Sequence, residues 1–268
     1  MAASSTETGF SPELAEGLRK VLTADREQLF HWLRDPNPVI LRALLRNPLL
    51  DEDHLLALLQ RSDLQEDLLK AIYRRSETAA SHRLKRALLN NPGLSPWMTQ
   101  ALLPQIPLFE LVNLCLLPGG SQDLKLAAER AIIMRLESVP LGTRITLARR
   151  STAAIVGELL KEGEPRLMEP CLGNPRLQEV AILQFLRSHR AGPETISCIA
   201  RHPRWKDRHN LRLAILKNPR TPDVWYTLFL PLLHQNDLHS LLAGERLTLR
   251  QKSLVNRDLA RRRGPKKQ

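Results

Sequence analysis

Two stretches, ALLNNPGLSPWMTQALLP (Ala87–Pro104) and AILKNPRTPDVWYTLFLP (Ala214–Pro231), share one layout: an aliphatic run, an Asn-Pro stop, a second proline after Ser or Thr, and another aliphatic run. A third, ALLRNPLLDEDHLLALLQ (Ala43–Gln60), has acidic residues in place of the second proline. Each stop reads as the end of one helix and the start of the next. Proline lacks the N–H that would continue the preceding helix, and it drives the Asn before it out of the α region. Asn tolerates turn geometry and bonds nearby backbone groups. Thr221 before Pro222 and Ser95 before Pro96 predict an N-cap followed by proline at the first helical position, with Asp223 near the positive helix end. Ser11-Pro12-Glu13 and Asn37-Pro38 predict the same near the start.

The stops keep a rhythm. Asn47-Pro48 and Asn91-Pro92 are 44 residues apart, as are Asn174-Pro175 and Asn218-Pro219. Within each pair, 28 residues after the first Asn, lies a further stop, IYRRS (Ile72–Ser76) or IARHP (Ile199–Pro203). This predicts an internal duplication with an offset of 127. Asn47–Pro104 laid over Asn174–Pro231 without a gap gives 16 identities in 58 positions, among them both Asn-Pro pairs, Leu56, Ile72, Arg74 and His82. Chance in so leucine-rich a chain gives ~5. LARRSTAAIVGELL (Leu147–Leu160) has a stop without the proline, and LARRR (Leu259–Arg263) repeats its opening.

Between stops the apolar residues fall at helical spacing. Leu55, Leu56, Leu58 and Leu59 form one stripe; Leu211, Leu213, Ala214, Ile215 and Leu216 form another, broad enough for a helix buried on two sides. Short helices, tight recurrent turns and no strand signal predict an all-α fold: a right-handed α-solenoid of about sixteen short stacked helices. The expected organisation is a disordered stretch 1–9, a helical-repeat domain 10–260 with two similar lobes (about 36–117 and 143–243), and a basic tail 261–268. The PGGS loop at Pro118–Ser121 separates the lobes.

The composition agrees. Of 268 residues 43% are hydrophobic and only 4% aromatic, which favours helices packed through aliphatic side chains over a sandwich or barrel. Cys115, Cys171 and Cys198 form no CxxC pair and read as small buried thiols. The opening MAASSTETGF lacks the basic and apolar regions of a signal peptide, and no apolar run nears the ~20 residues of a membrane span. The expectation is a cytoplasmic protein with no membrane partner. The net charge of +12 is concentrated. Arg201–Arg220 holds seven Lys or Arg against one Asp, Arg74–Gly93 five against Glu77, and the tail RRRGPKKQ five. Such segments suit a binding face or a tail.

NPRTPDVWYTL (Asn218–Leu228) resembles the unit of the leucine-rich repeat variant family, roughly Asn-Pro-x-Thr-Pro-x-x-Leu followed by a second short helix. That family belongs to the broad HEAT/armadillo-like class. NPGLSPWMTQAL (Asn91–Leu102) is a looser match, and the Asn47 and Asn174 stretches are looser still. The family's unit is shorter and more regular than the 28-plus-16 step here. One type of member carries a cysteine-ligated N-terminal iron–sulfur cluster, but this chain has no cysteine before Cys115, so no cofactor is carried over. The resemblance implies a curved repeat scaffold that binds proteins or nucleic acids.

No catalytic constellation stands out: the chain has no HExxH, no GxSxG and no phosphate-cradling glycine loop. No metal or cofactor is expected. His202 and His209, seven apart, are placed to share a helix face but lack a third ligand. His54, beside Glu52 and Asp53, reads as part of a solvated first turn. Trp97, Trp205 and Trp225 follow stops, where a Trp covers the helix junction or, in a sharper reading, lines a groove. Arg74, Arg75, Lys85, Arg149, Arg150, Arg201, Arg204, Lys206, Arg208 and Arg212 form the candidate surface for an anionic partner or nucleic acid, because equivalent positions of a repeat recur on one face. The bland reading of the same residues is a set of solvated helix faces. The first functional reading is a non-enzymatic scaffold binding another protein. The second is nucleic-acid binding through the basic face. A remote variant of the second is a HEAT-like DNA glycosylase, with Asp207 beside Trp205 as the place for its chemistry.

Overall fold

Proline opens helices throughout the chain. Pro12, Pro38, Pro96, Pro165 and Pro193 are each the first residue of one, where a missing N–H costs nothing. The computed structural model describes residues 11–79, 81–244 and 246–263. Among them it has eighteen α-helices, three short 3-10 turns and no strand. The stretch 1–9 and the tail beyond residue 263 lie outside the described residues. No described helix is long and apolar enough to cross a membrane.

The chain divides into two compact units, 1–128 and 129–268. The first contains α1 (Pro12–Thr23), α2 (Arg26–Trp32), α3 (Pro38–Leu44), α4 (Glu52–Leu58), α5 (Glu66–Ala79), α6 (His82–Asn90), α7 (Pro96–Leu102) and α8 (Leu108–Leu116). Helix α9 (Gln122–Arg135) begins in the first unit and ends in the second. The second unit continues with α10 (Leu141–Arg150), α11 (Ala153–Lys161), α12 (Pro165–Leu172), α13 (Glu179–Arg187), α14 (Pro193–Arg201), α15 (His209–Leu216), α16 (Asp223–Phe229), α17 (Gln235–Ala243) and α18 (Leu249–Arg263).

The duplication is wider than the sequence shows. Helices α2 to α9 start at residues 26, 38, 52, 66, 82, 96, 108 and 122; helices α11 to α18 start at 153, 165, 179, 193, 209, 223, 235 and 249, each 127 later. The 3-10 turn Leu103–Gln105 after α7 recurs as Leu230–Leu232 after α16. Packing repeats too. Alternate helices meet: α1 on α3, α2 on α4, α3 on α5 and α4 on α6 in the first unit, and α10 on α12, α11 on α13, α12 on α14 and α13 on α15 in the second. Each unit thus has two layers of helices. Leu29, Leu44 and Leu88 in one core stand where Val156, Cys171 and Ile215 stand in the other, all buried. Each fully buried Leu or Ile side chain contributes about 1.5–3 kcal/mol.

The stops are held by their own side chains. Nδ2 of Asn47 donates to the carbonyls of Val21 (2.8 Å) and Ala24 (3.1 Å), while its Oδ1 accepts from the N–H of Leu49 (2.8 Å). Asn91 does the same to Leu59 (3.0 Å) and Arg61 (2.7 Å), and its Oδ1 accepts from Gly93 (3.0 Å). Asn174 reaches Ala148 and Ser151, and Asn218 reaches Leu186. All four are buried. Each Asn therefore satisfies carbonyls of a stop 23 to 32 residues earlier and closes its own turn at the same time.

Several local expectations change. Ser11 and Asn37 cap their helices as expected, accepting from Leu14 and Val39. Ser95 sits at the cap position of α7, but its buried Oγ has no partner among the described residues. Thr221 does not cap forwards: its Oγ1 donates back to the carbonyl of Ile215, and α16 starts at Asp223. His54 is not solvated. It is fully buried, with Nε2 against the carbonyl of Arg26 (2.8 Å) and Nδ1 against Asp51. His202 ends α14 and His209 begins α15, so they share no helix face. Cys115 and Cys171 are buried, but Cys198 is only half-buried.

Candidate binding groove

In the second unit α13, α15 and α17, with the turns that follow them, enclose an open groove of about 1040 Å³. Its floor is aliphatic: Leu183 and Leu186 from α13, Leu213 and Ala214 from α15, Leu241 from α17, and Leu247. The small Ala214 keeps the middle open. The rim is cationic. Arg187, Lys217, Arg220 and Arg246 line it and are exposed, together with His189, and no carboxylate among the described residues lines it. Arg220 is partly committed, since its Nη1 donates to the carbonyl of His189. Among the described residues Arg187, Lys217 and Arg246 have no hydrogen-bond or ion-pair partner. Asn218 anchors the floor from below by donating to Leu186 (2.7 Å).

The first unit has the same feature at the same positions. Two adjoining pockets of about 580 and 550 Å³ lie between α4 and α6 and between α6 and α8, and they share Arg86 and Asn90. Four floor positions are identical across the copies, Leu56 and Leu183, Leu59 and Leu186, Ala87 and Ala214, Leu114 and Leu241, whereas Leu213 and Leu247 stand where the first copy has Arg86 and Gly120. The rims differ. The cations at 187, 217, 220 and 246 stand where the first copy has Gln60, Asn90, Gly93 and Gly119. The first groove instead mixes Arg83 and Arg86 with Asp53 and Glu110.

None of the ten basic residues expected to form an anionic-partner face lines either groove. Four of them are occupied by the fold. Arg75 donates to the carbonyls of Leu45 (2.8 Å) and Leu50 (3.0 Å). Arg204 donates to Asn174 (2.5 Å), Pro175 (3.0 Å) and Leu177 (3.2 Å), and its guanidinium stacks 4.4 Å from the Trp205 ring. Lys85 is buried within α6. Arg212 donates to the carbonyl of Lys206 (2.8 Å) and to Asp207 (2.6 Å). The others, Arg74, Arg149, Arg150, Arg201, Lys206 and Arg208, are exposed, with Arg201 donating to Cys198 Sγ (3.2 Å).

The aromatics serve junctions. Trp205 is buried and its Nε1 donates to the carbonyl of Leu172 (2.9 Å); Trp225 donates to Ser197 Oγ (2.9 Å); Trp97 packs edge-on against Tyr73. Asp207 is an exposed partner of Arg212, beside a Trp that faces inward. No group of three or more His, Cys, Asp or Glu able to hold a metal ion occurs among the described residues. Comparison of the chain with protein-family models, with curated proteins and with solved structures finds no match to any of them.

Of the groove cations, Arg187 and Arg246 lie outside the basic segments singled out in the sequence; Lys217 and Arg220 lie within Arg201–Arg220 but are not among the candidate surface residues. A signal for them was present. At these positions the two copies differ in charge while most of the neighbouring leucines are identical.

Proposed function

We propose that the chain is a helical-repeat scaffold, each unit a stretch of α-solenoid of the kind its leucine-rich repeat variant-like motifs suggest, and that its task is to bind another protein rather than to perform chemistry. The observation that carries this reading is the recurrence of one open, aliphatic-floored groove at equivalent positions of both copies. Of the floor, Leu183, Leu213 and Ala214 are half-buried and keep aliphatic surface open above the buried Leu186, Leu241 and Leu247, and concave aliphatic surface of this kind is what a partner's apolar side chains cover. The clamps at the stops hold the helices on either side, so the groove is formed before a partner arrives, which lowers the ordering cost of binding.

A random peptide display selection against the full chain tests this. Ala214→Phe fills the second groove without adding charge, and unchanged far-UV circular dichroism verifies its fold. Scaffold function predicts enriched peptides whose affinity falls at least about tenfold, or 1.4 kcal/mol, in this variant. Selection that yields no groove-dependent peptide overturns the reading. A nucleic-acid partner is the second reading, favoured by the exposure of Arg149, Arg150, Lys206 and Arg208 in the second unit. It predicts binding to random-sequence RNA or DNA that weakens steeply with salt and falls when these four are changed to Ala.

A further inference from the structure

The rim of the second groove says what kind of protein segment it takes. This step rests on the scaffold reading and narrows it. Four cations stand around a floor of leucines, and among the described residues the lining offers no carboxylate to neutralise them. The equivalent positions in the first copy are neutral, so the repeat fold does not need charge there. Three of the four, Arg187, Lys217 and Arg246, have no partner among the described residues. Unpaired like charges gathered in a concavity repel one another and raise the local concentration of anions. They are relieved by a ligand that brings negative charge.

The floor decides between anionic polymers. Single-stranded nucleic acid binds through bases stacked on aromatic rings, combined with a basic track for the phosphates. The described lining holds no Phe, Tyr or Trp; it offers the half-buried Leu183, Leu213 and Ala214, set over the buried Leu241 and Leu247. Aliphatic side chains entering between α13, α15 and α17 bury apolar area there, while acidic groups flanking them meet the rim. We infer that the second groove binds an acidic peptide segment whose carboxylates alternate with leucine-like side chains. The span of three packed helices, roughly 20 Å, takes about 13 residues as a helix or about 6 extended.

The test uses the full chain and a fluorescein-labelled peptide of three Glu-Asp-Leu-Leu repeats, followed by anisotropy at low and high salt. Controls are three Glu-Asp-Ser-Ser repeats, three Lys-Arg-Leu-Leu repeats and a uridine homopolymer. The acidic aliphatic peptide is expected to bind at least about tenfold tighter than each control. The double variant Arg187→Glu/Lys217→Glu, altered only at exposed positions, is expected to lose that advantage and to bind the basic aliphatic peptide instead. Equal binding of the acidic and basic peptides overturns the inference, as does equal binding of the Leu and Ser peptides or an unaffected double variant. Tighter binding of the uridine homopolymer that depends on Arg187 and Lys217 overturns it in favour of nucleic acid. The display selection separates this failure from that of the scaffold reading. Peptides sensitive to Ala214→Phe but not acidic overturn the inference and leave the scaffold, whereas the absence of any sensitive peptide overturns both.

Discussion

Asn47 and Asn174, 127 residues apart, make the same hydrogen bonds. The amide of the first spans the carbonyls of Val21 and Ala24, and that of the second spans Ala148 and Ser151, the matching residues of its own unit. In each, Oδ1 accepts from the N–H two residues on, at 2.8 Å. An Asn can do this because its side chain carries both a double donor and an acceptor. The proline after it keeps the backbone extended, so that the amide can reach the earlier stop.

Replacing this amide leaves two buried carbonyls without a donor. Asn174→Ala is expected to lower the unfolding free energy by about 1–3 kcal/mol. Asn174→Asp is expected to be at least as costly at neutral pH, since a carboxylate cannot donate and would face carbonyl oxygens. Asn210→Ala, at the exposed groove edge, should stay within about 0.5 kcal/mol. Urea midpoints at unchanged slope measure all three.

Arg204 and Lys206 are two residues apart and equally basic, yet only Arg204 is built into a stop. Arg204→Ala is expected to cost about 1–2 kcal/mol through the carbonyls of Asn174, Pro175 and Leu177. Arg204→Lys should recover little, because a single ammonium cannot reproduce the planar fork. Lys206→Ala should be neutral within about 0.5 kcal/mol. Equal effects in thermal or urea denaturation would contradict the assignment.

The cysteines should differ in reactivity. Burial, and secondarily the nearby charge of Glu162, push the Cys171 thiol up to about 12. At pH 8 about one molecule in 10⁴ then carries the thiolate that reacts. Cys198 is half-buried and open to reagent. Labelling with a disulfide reagent at pH 8, mapped by mass spectrometry, should modify Cys198 in the folded protein and Cys171 only after denaturation.

Acid should act through Asp51. Burial opposes its ionisation, but hydrogen bonds from the N–H and ring of His54, with the charge of Arg26, outweigh burial and hold the carboxyl below its usual range. A carboxyl depressed in the folded state contributes stability at pH values above its unfolded value, and that contribution disappears as pH falls through the folded one. Below about pH 4 the wild type should therefore lose stability more steeply than Asp51→Asn. Urea midpoints measured from neutral to acid pH show it, and parallel curves would refute it.

What could be read from the sequence follows from which side chains the fold requires by name. The Asn-Pro stops announce themselves because the same residue pair recurs at four stops, whereas other side chains that reach stop carbonyls, such as Gln251 and Arg204, carry no such signature. The all-helical class and the central duplicated stretch came from them. The copies of α2, α3 and α9 were illegible because buried aliphatic positions exchange for one another: Leu29 for Val156, Ile40 for Leu167, Ala128 for Val255. His54 was misread because its acidic neighbours point to solvent while the ring itself turns inward to Arg26 and Asp51. Which of the basic residues the fold engages is a tertiary matter. Whether an Arg meets water or the carbonyls of a stop about 30 residues earlier is decided by how successive turns stack, which charge density along the chain does not encode.

The residues that clamp the stops and the residues that rim the grooves are almost separate sets. Asn47, Asn91, Asn174 and Asn218 recur unchanged, while the rim varies from copy to copy over a floor that is largely shared. The architecture therefore uncouples inheritance of shape from the charge of the groove rim. Substitutions such as Gln60→Arg with Asn90→Lys, both at exposed sites, would readdress the first copy without touching a single clamp. Under the proposed scaffold reading, a gene duplicated in this way starts with two equal grooves and can specialise one of them while the other stays as it was.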